Sequence, residues 1–309
     1  MRDTHATPCT CVTPDRPPPV ALPASAHPRQ PPALPPPALA VNPANAVALR
    51  LIGRDYISFS ALSTFQQCPL RFYFKYIEKL PEHTVSASLV FGGAMHAAVE
   101  HHFRSLLEGR PPPDVATLLD VYHQAWQGRD LATIKFGKGG SADLLSKLAK
   151  RMLVSIQASD FARPEGTILA IEEELRGPVL EGLPDLLARI DLLIETDETL
   201  VLSDLKTARS RWSPAQVEDS GRQLLLYSKL ARELSPHKTL VTQFAVVTKA
   251  KTPVLALHPV PVDDTRIANV YRVAGLIWQA ITAGHFYPVP SPQHCATCPY
   301  RRPCRAWGG

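Results

Sequence analysis

Two aspartates and a lysine in the middle of the chain have types and spacing that could do chemistry. The stretch ARIDLLIETDETLVLSDLKTA predicts two apolar strands joined by a polar loop, Thr196–Thr199. A hairpin folded about the centre of that loop places Asp191 directly opposite Asp204. Lys206 lies two residues beyond Asp204 and points to the same face, because side chains alternate along a strand.

Opposed carboxylates in apolar strands indicate either a solvated face or a metal site. Like charges directly opposite each other destabilise a sheet, so their presence requires a reason. In the first interpretation, Asp204 and Lys206 form an ordinary surface ion pair. In the second, the carboxylates bind Mg²⁺ or Mn²⁺, which also accept a substrate phosphate. Lys206 would then stabilise charge on the phosphate, or position and help to deprotonate a water that hydrolyses a phosphodiester.

Three cysteines near the end of the chain form a second candidate site. Cys295, Cys298 and Cys304 lie in the segment HCATCPYRRPCRAW. A four-coordinate metal site built on Cys-x-x-Cys requires a fourth ligand, and no further cysteine lies nearby in the sequence. Cys9 and Cys11 occur in the proline-rich N-terminal segment, where we interpret them as incidental.

The bulk composition allows a nucleic-acid partner without requiring one. The formal charge is +5 and the pI is near 8.9, which is a mildly basic balance. No apolar run reaches the about 20 residues of a membrane span, and the N-terminus lacks the charged-then-apolar order of a secretory signal. We therefore expect a cytoplasmic protein without membrane contact, in which reduced cysteines serve as metal ligands.

Residues 1–50 are predicted to form a disordered, proline-rich tail. They contain 13 of the 31 prolines and no aromatic residue, so this segment cannot bury enough apolar surface to fold. The remaining residues, 51–309, are predicted to form one domain. The apolar content of 45% is sufficient for its core.

The apolar periodicity of residues 51–309 changes from helices to strands and then alternates between the two. Helices are predicted after Ser58, around GGAMHAAVE, and over a helical insertion at about 110–160. Three strands follow, then a helix capped by Ser213, two strands, a long amphipathic helix and a cysteine segment at 285–307. This order predicts an α/β or α+β fold.

These motifs together resemble the PD-(D/E)XK nuclease superfamily, and in particular its RecB-like branch. Asp191, followed by Asp204-x-Lys206 on the next strand, resembles the signature of the superfamily. GGAMHAAVE is similar to the Gly-x-x-x-His-x-x-x-Glu helix of this branch, in which His96 corresponds to a metal ligand. Glu100, one helical turn later, is a candidate for a residue that contacts the metal ligands rather than the metal.

A later helix supports the same resemblance. QLLLYSKL is similar to the Gln-x-x-x-Tyr helix that follows the lysine strand in this branch. Gln223 and Tyr227 share one helix face because they are four residues apart. The resemblance implies that both residues contact the DNA backbone and support Lys206 and the water.

The resemblance implies a fold, a cation and an activity. The fold is a restriction-endonuclease-like core, with a mixed central sheet flanked by helices. The cation is Mn²⁺ or Mg²⁺, which His96, Asp191 and Asp204 would bind. Lys206 would position the attacking water and stabilise the charge of the transition state. The expected activity is that of a metal-dependent DNA exonuclease, acting on single strands.

The resemblance also supplies a fourth cysteine ligand. Nucleases of AddAB-type recombination enzymes and CRISPR-associated RecB-like nucleases carry an iron–sulfur cluster, held by one cysteine before the histidine helix and three near the C-terminus. Cys68, in FQQCPLRFYF, would complete the set with Cys295, Cys298 and Cys304. Four thiolates can hold a [4Fe–4S] cluster, which would staple the N- and C-terminal parts of the domain together. A tetrahedral zinc site needs the same four ligands and is the alternative.

Basic residues interleaved with aromatic residues suggest how the protein binds a DNA strand. CPLRFYFKYIEKL places Arg71, Lys75 and Lys79 at positions i, i+4 and i+8 of a predicted helix. Electrostatic attraction and base stacking hold single strands without sequence readout. The alternative is an amphipathic helix with its aromatic side chains in the core. Further DNA-binding candidates follow the predicted catalytic lysine and the cysteines: Arg209, Arg211, Arg301 and Arg302.

Three cellular settings are compatible with such an exonuclease: recombination and repair, a phage or mobile element, and CRISPR adaptation. The chain contains no Gly-x-x-x-x-Gly-Lys-Ser/Thr phosphate loop, so we expect a partner, such as a helicase or a recombination or CRISPR adaptation protein. Two alternative functions are a non-catalytic DNA-binding subunit with a degenerate nuclease fold, and a zinc-stapled scaffold protein.

Overall fold

A mixed β-sheet with helices on both faces forms the frame of the protein. The computed structural model describes residues 42–127 and 131–308. Its α-helices are α1 (Pro43–Ile52), α2 (Phe59–Gln67), α3 (Pro69–Phe72), α4 (Ala87–Leu107), α5 (Val115–Gln127), α6 (Ala142–Gln157), α7 (Pro214–Leu234), α8 (Asp264–Thr282), α9 (Pro292–Cys295) and α10 (Arg301–Arg305). Its strands are β1 (Tyr56–Ser58), β2 (Val85–Ser86), β3 (Ile134–Lys135), β4 (Thr167–Gly177), β5 (Asp185–Glu195), β6 (Thr199–Ala208), β7 (Thr239–Thr248) and β8 (Leu255–Val260). The predicted α/β fold with a mixed central sheet is confirmed.

The central strand of the sheet is β5, which pairs with three other strands. The order along the sheet is β1-β5-β6-β7-β8, and β4 pairs with β5 in addition. Strand β4 runs antiparallel along nearly the whole of one edge of β5. The other edge is shared, because β1 pairs with residues 185–187 and β6 pairs with residues 192–195. Residues 188–191 therefore lie in a gap between β1 and β6, with Asp191 at its end.

Helix α7 connects β6 to the parallel strand β7, and its start is fixed by a capping box. The Ser213 hydroxyl accepts a hydrogen bond from the Gln216 N–H, and the Gln216 side chain accepts one from the Ser213 N–H. Pro214 occupies the first helical turn, where its missing N–H is not needed. This start, predicted from the sequence, determines which α7 residues face the sheet.

Apolar side chains form a core on each face of the sheet. One core lies between the sheet and helices α1, α2, α7 and α8, and includes Leu202 and Trp278. The other lies under α4, α5 and α6, and includes Phe91, Tyr122 and Leu153. Helices α5 and α6, from the predicted insertion, thus cover apolar surface beside α4. No helix in the described part of the chain is long and apolar enough to cross a membrane.

The boundary of the predicted tail lies too far along the chain. Residues 43–50, which were assigned to the disordered tail, belong to helix α1 and bury Ala44 and Ala48. The Asn42 side chain accepts a hydrogen bond from the Ala44 N–H and caps this helix. Its alanine content favours a helix and its small side chains pack closely, so few large apolar residues are needed. Residues 1–41, including Cys9 and Cys11, lie outside the described residues.

The predicted helical stripe of basic residues does not extend to Lys79. Helix α3 ends at Phe72, a π-helical turn covers Tyr73–Ile77, and Lys79 has a φ of 51°. Lys79 therefore lies beyond the helical segment that contains Arg71 and Lys75. Phe72, Phe74 and Tyr76 are buried, so most of the aromatic side chains of this segment serve the core, as the alternative interpretation held. The short strands β1, β2 and β3 were not predicted.

Candidate active site

The hairpin of β5 and β6 has the register predicted from the sequence. Its pairs run from Glu195 opposite Leu200 to Leu192 opposite Ser203. The next pair in this register is Asp191 and Asp204, where the ladder stops. The Leu205 N–H instead donates to Asp191 Oδ2 over 2.7 Å, so a side chain takes the place of the neighbouring strand. The two aspartates therefore lie where β5 and β6 separate.

Asp204 is held from helix α7. The residue is 4% exposed, and its Oδ1 accepts a hydrogen bond of 2.8 Å from Gln223 Nε2. Lys206 Nζ donates to Gln223 Oε1 over 3.2 Å and lies 2.6 Å from Asp204 Oδ2. That Oδ2 atom is buried and accepts no hydrogen bond of regular geometry within the described chain. Gln223 thus fixes both charged groups, and the second carboxylate oxygen of Asp204 contacts Lys206.

A third carboxylate, Glu172, joins the two aspartates. Its neighbours on β4 pair with the neighbours of Asp191 on β5, so Glu172 lies opposite Asp191. Glu172 has a φ of 49° within the strand, a conformation that costs about 1–3 kcal/mol in a residue other than glycine. Backbone strain of this kind concentrates at functional sites, where other contacts maintain it.

Glu172 was not among the residues predicted for the site. The loop between β4 and β5 is irregular and has no symmetric centre, so the pairing of these strands could not be read from their spacing. The available signal was the run Glu172–Glu174, which places three acidic residues in a row in an otherwise apolar strand.

His96 brings helix α4 into the same site. Its Nδ1 atom lies 2.9 Å from Glu172 Oε1 and 3.4 Å from Asp191 Oδ2. One ligand atom from each of these three residues lies within 4.8 Å of the other two. Glu100, the predicted outer residue, pairs with Arg104 one turn further along α4 instead.

The charges of the site shift the pKa values of its members. Burial opposes protonation of His96, but the hydrogen bond to Glu172 and the charges of Asp191 and Asp204 outweigh it and raise the pKa of His96 to about 9. Burial and the facing Asp204 raise the pKa of Asp191 to about 7. Burial also raises the pKa of Tyr227, one turn after Gln223, so its hydroxyl stays protonated. The site therefore holds protons at neutral pH that a cation would displace.

The donor set suits a divalent cation of the size of Mg²⁺ or Mn²⁺. Such ions prefer carboxylate oxygens, which Glu172 and Asp191 supply, and Mn²⁺ also accepts an imidazole. Asp204, whose Oδ2 atom contacts Lys206, lies beside this set, close enough for its charge to raise the pKa of His96. The residues present therefore fit a bound cation at the gap in β5.

One cysteine that precedes helix α4 and three cysteines near the C-terminus lie together. Cys68, Cys295, Cys298 and Cys304 line one cavity of about 230 Å³. The Val289 N–H points at Cys68 Sγ over 3.5 Å, and the Ser291 N–H points at Cys295 Sγ over 3.3 Å. Burial and the three other cysteines raise the pKa of the Cys304 thiol. An aromatic cluster packs around these residues: Tyr73, Phe74, Tyr300 and Trp307.

The predicted DNA-binding residues occupy three different settings. Arg71 and Arg301 line the cysteine cavity. Lys75 forms an ion pair of 2.8 Å with Glu82, so its charge is already compensated. The remaining candidates are exposed, in the segment after β6 and on α10: Arg209, Arg211 and Arg302.

Comparison with known proteins agrees with this architecture. A solved structure from Eubacterium rectale, provisionally named an exonuclease, is 15% identical, covers 81% of this chain and 87% of its own, and has a TM-score of 0.51. The structure of SSO0001 is 14% identical, covers 80% of this chain and 95% of its own, and has a TM-score of 0.33. Among curated proteins, none matches the chain. The profile of the PD-(D/E)XK nuclease superfamily matches residues 56–305. The chain therefore belongs to the PD-(D/E)XK nuclease superfamily.

Proposed function

We propose that this nuclease is a Mn²⁺- or Mg²⁺-dependent DNA exonuclease of the RecB-like branch, which acts on single strands. The observation that carries the proposal is the convergence of two groups of residues. His96, Glu172 and Asp191 place ligand atoms within 4.8 Å of one another, and Lys206 lies beside them, fixed by Asp204 and Gln223. Hydrolysis of a phosphodiester at such a site requires a positioned cation and a positive side chain that stabilises the charge developing on the phosphate.

Different residues of the site have different roles in hydrolysis. When bound, the cation supplies Lewis acidity toward the phosphodiester. His96, Glu172 and Asp191 would hold it, together with Asp204 Oδ2, which Lys206 also contacts. Lys206 is directed by Gln223 and compensates charge that develops on the phosphate, or orients the attacking water. The neutral Tyr227 supports this arrangement from the buried side of α7.

The proposal competes with a non-catalytic DNA-binding subunit. A degenerate site would have no reason to retain three facing carboxylates, a strained backbone at Glu172 and a buried oxygen without a regular hydrogen bond. These features favour the enzyme. Recombination and repair, a phage or mobile element, and CRISPR adaptation are the settings we propose, in the reducing cytoplasm and with a separate helicase or recombination partner.

We further propose that the cysteines hold a [4Fe–4S] cluster. Zinc bound by four thiolates at about 2.3 Å brings the sulfur atoms to about 3.8 Å from one another. Within the described chain, no three of the cysteine sulfur atoms lie within 4.8 Å of each other. A four-iron cluster is larger and separates its ligands further, so the wider spacing favours it over zinc. This argument also weighs against the zinc-stapled scaffold.

End-labelled DNA tests the proposed function directly. The anaerobically purified protein with Mn²⁺ should degrade linear single strands from an end, with 5′ and 3′ labels reporting the polarity. A circular single strand of the same sequence should survive, because an exonuclease needs an end. EDTA should stop the reaction. Intact linear DNA, despite bound metal, would favour the binding-subunit alternative, and cleavage of the circle would indicate an endonuclease.

Binding of Mn²⁺ at pH 7 should release about one to two protons. The pKa of His96 is raised to about 9 and that of Asp191 to about 7, so both carry protons at this pH that a cation must displace. The affinity for Mn²⁺ should therefore rise as the pH rises from 6 toward 9. Titration calorimetry in two buffers of different ionisation enthalpy measures the protons released. His96→Gln should release fewer, and heats that do not depend on the buffer would contradict the proposed ligands.

A further inference from the structure

An unpaired lysine lies beside the proposed active site, at the end of β7. Lys249 is half-buried, and its Nζ sits over the Phe91 ring of α4, 4.8 Å from the ring centroid. Its side chain has no acidic partner and no hydrogen bond within the described residues. An ammonium group held in place without a carboxylate is unusual, because burial of an uncompensated charge is costly.

A second cation stands next to Lys249. Strands β6 and β7 are parallel, with Ala208 opposite Thr248, and the Lys249 N–H donates to the Ala208 carbonyl over 2.7 Å. Arg209 is therefore the lateral neighbour of Lys249, and it too has no carboxylate partner in the described chain. Burial and the charge of Arg209 lower the pKa of Lys249. Two adjacent, unpaired cations destabilise the fold unless an anion lies between or above them.

Two independent measures place this pair close to the proposed scissile bond. Lys206 is the lateral neighbour of Val246, so the backbone of Lys249 lies three residues further along the sheet, or about 10 Å, and its side chain points to the opposite face from Lys206, toward α4. Phe91, which Lys249 covers, precedes His96 by five residues of α4, or about 7.5 Å. A DNA strand that reaches the cation site beside His96 could therefore bring a neighbouring phosphate to the pair.

The surface between the pair and His96 is open. Gly92 and Gly93 lie on α4 between Phe91 and His96, and a Cβ atom at either glycine would meet no atom within 4 Å. A nucleic-acid backbone could therefore pass along this part of α4 without displacing a side chain.

We propose that Lys249 and Arg209 form a binding site for a backbone phosphate of the DNA strand, near the bond that is cleaved. The inference rests on the proposed function, and it adds a residue, Lys249, that no sequence motif indicated. The site recognises the phosphate charge and not the base, so it would hold the strand in register irrespective of sequence.

Binding measurements in EDTA test the site separately from cleavage. The probe is a short fluorescein-labelled oligothymidylate, whose affinity is measured by fluorescence anisotropy at several salt concentrations. Lys249→Gln should weaken binding about tenfold and make the slope of log affinity against log salt shallower by about 0.7. Lys249→Arg, which keeps the charge, should restore most of the affinity. Lys147→Gln, on the exposed side of α6, is the control because it removes the same charge elsewhere on the protein. It should change the affinity and the slope less than Lys249→Gln does.

Neutral phosphate analogues identify the contact itself. A series of oligothymidylates, each with one methylphosphonate, should contain a position that weakens binding to the wild type but not to Lys249→Gln. Identical profiles for the two proteins, or equal affinity, would overturn the phosphate site while leaving the proposed nuclease intact. Cleavage that fails in Mn²⁺ while Lys249 still governs binding would overturn only the catalytic proposal. No binding by the wild type would overturn both.

Discussion

Asp191→Asn is expected to abolish DNA cleavage and to make the protein more stable. Loss of a ligand and of the carboxylate that faces Asp204 should lower the cleavage rate at least about a thousandfold. The asparagine oxygen can still accept the hydrogen bond from the Leu205 N–H, so the strand geometry is retained. Single-turnover cleavage of end-labelled DNA with Mn²⁺ and thermal unfolding of the metal-free protein measure the two effects.

The gain in stability should depend on pH with a defined sign. Burial and Asp204 raise the pKa of Asp191 from 3.8 to about 7, so the folded protein prefers the protonated carboxyl. The free energy of unfolding therefore falls as the pH rises from about 4 through 7, where the wild type loses that proton. Asparagine resembles the protonated form at every pH. Its benefit, on the order of 2 kcal/mol, should be present at pH 8 and nearly absent at pH 4.

Asp185→Asn is the matched control on the same strand. Asp185 accepts hydrogen bonds from the side chains of Asn42 and Asn45 and lies 3.6 Å from Arg176, so its carboxylate is compensated by structural partners. Its replacement should lower the melting temperature and leave cleavage intact. If Asp191→Asn behaved in the same way, losing stability and keeping activity, the three facing carboxylates would be a structural network and the proposed catalytic site would be wrong.

The parts of the site that the sequence predicted are those set by local geometry. The loop Thr196–Thr199 is symmetric, so the register of Asp191 and Asp204 followed from counting residues. Gln223 and Tyr227 share a face because they are four residues apart, and a capping box fixes the start of the helix that carries them. In each case a short segment, with a recognisable beginning, determines where the side chains point.

The parts that were missed depend on contacts between distant segments. Glu172 reaches the site only because β4 pairs with β5 through an irregular loop and because its own backbone adopts a left-handed conformation. The gap between β1 and β6 depends on three residues of β1, too few to give a pattern. Lys249 stands beside Arg209 because β6 and β7 are parallel, and a crossover of about 30 residues separates them. Such pairings carry no signal in local periodicity.

The cysteine cavity is a similar case, since Cys68 and Cys295 are far apart in the chain. Spacing alone indicated three ligands, and only the resemblance to RecB-like nucleases supplied the fourth. The structure then brings all four to one cavity, next to aromatic residues from both ends of the domain. The sulfur atoms of Cys68 and Cys295 accept contacts from backbone N–H groups, which suits thiolates. A bound cluster would thus close a loop that contains most of the nuclease fold.

Cys68→Ser is accordingly expected to remove the cluster and to destabilise the whole domain. A cross-link that closes a loop of roughly 230 residues lowers the entropy of the unfolded chain by an amount worth about 5 kcal/mol. Loss of one of four ligands should therefore lower the melting temperature of the anaerobically purified protein by about 10 °C or more. Iron and sulfide content, visible absorption and thermal unfolding measure these changes together.

Cys11→Ser is the matched control, because it removes a cysteine that we interpret as incidental. It should leave the iron content, the absorption and the melting temperature unchanged. The two alternatives predict different results from the same samples. One zinc per chain without iron would identify a zinc site, with the destabilisation by Cys68→Ser retained. A wild-type protein without either metal, as stable as Cys68→Ser, would mean that the four thiols meet without a staple, and that packing and hydrogen bonds, such as the aromatic cluster and the Leu70 N–H bond to the Tyr287 carbonyl, join the two ends of the domain.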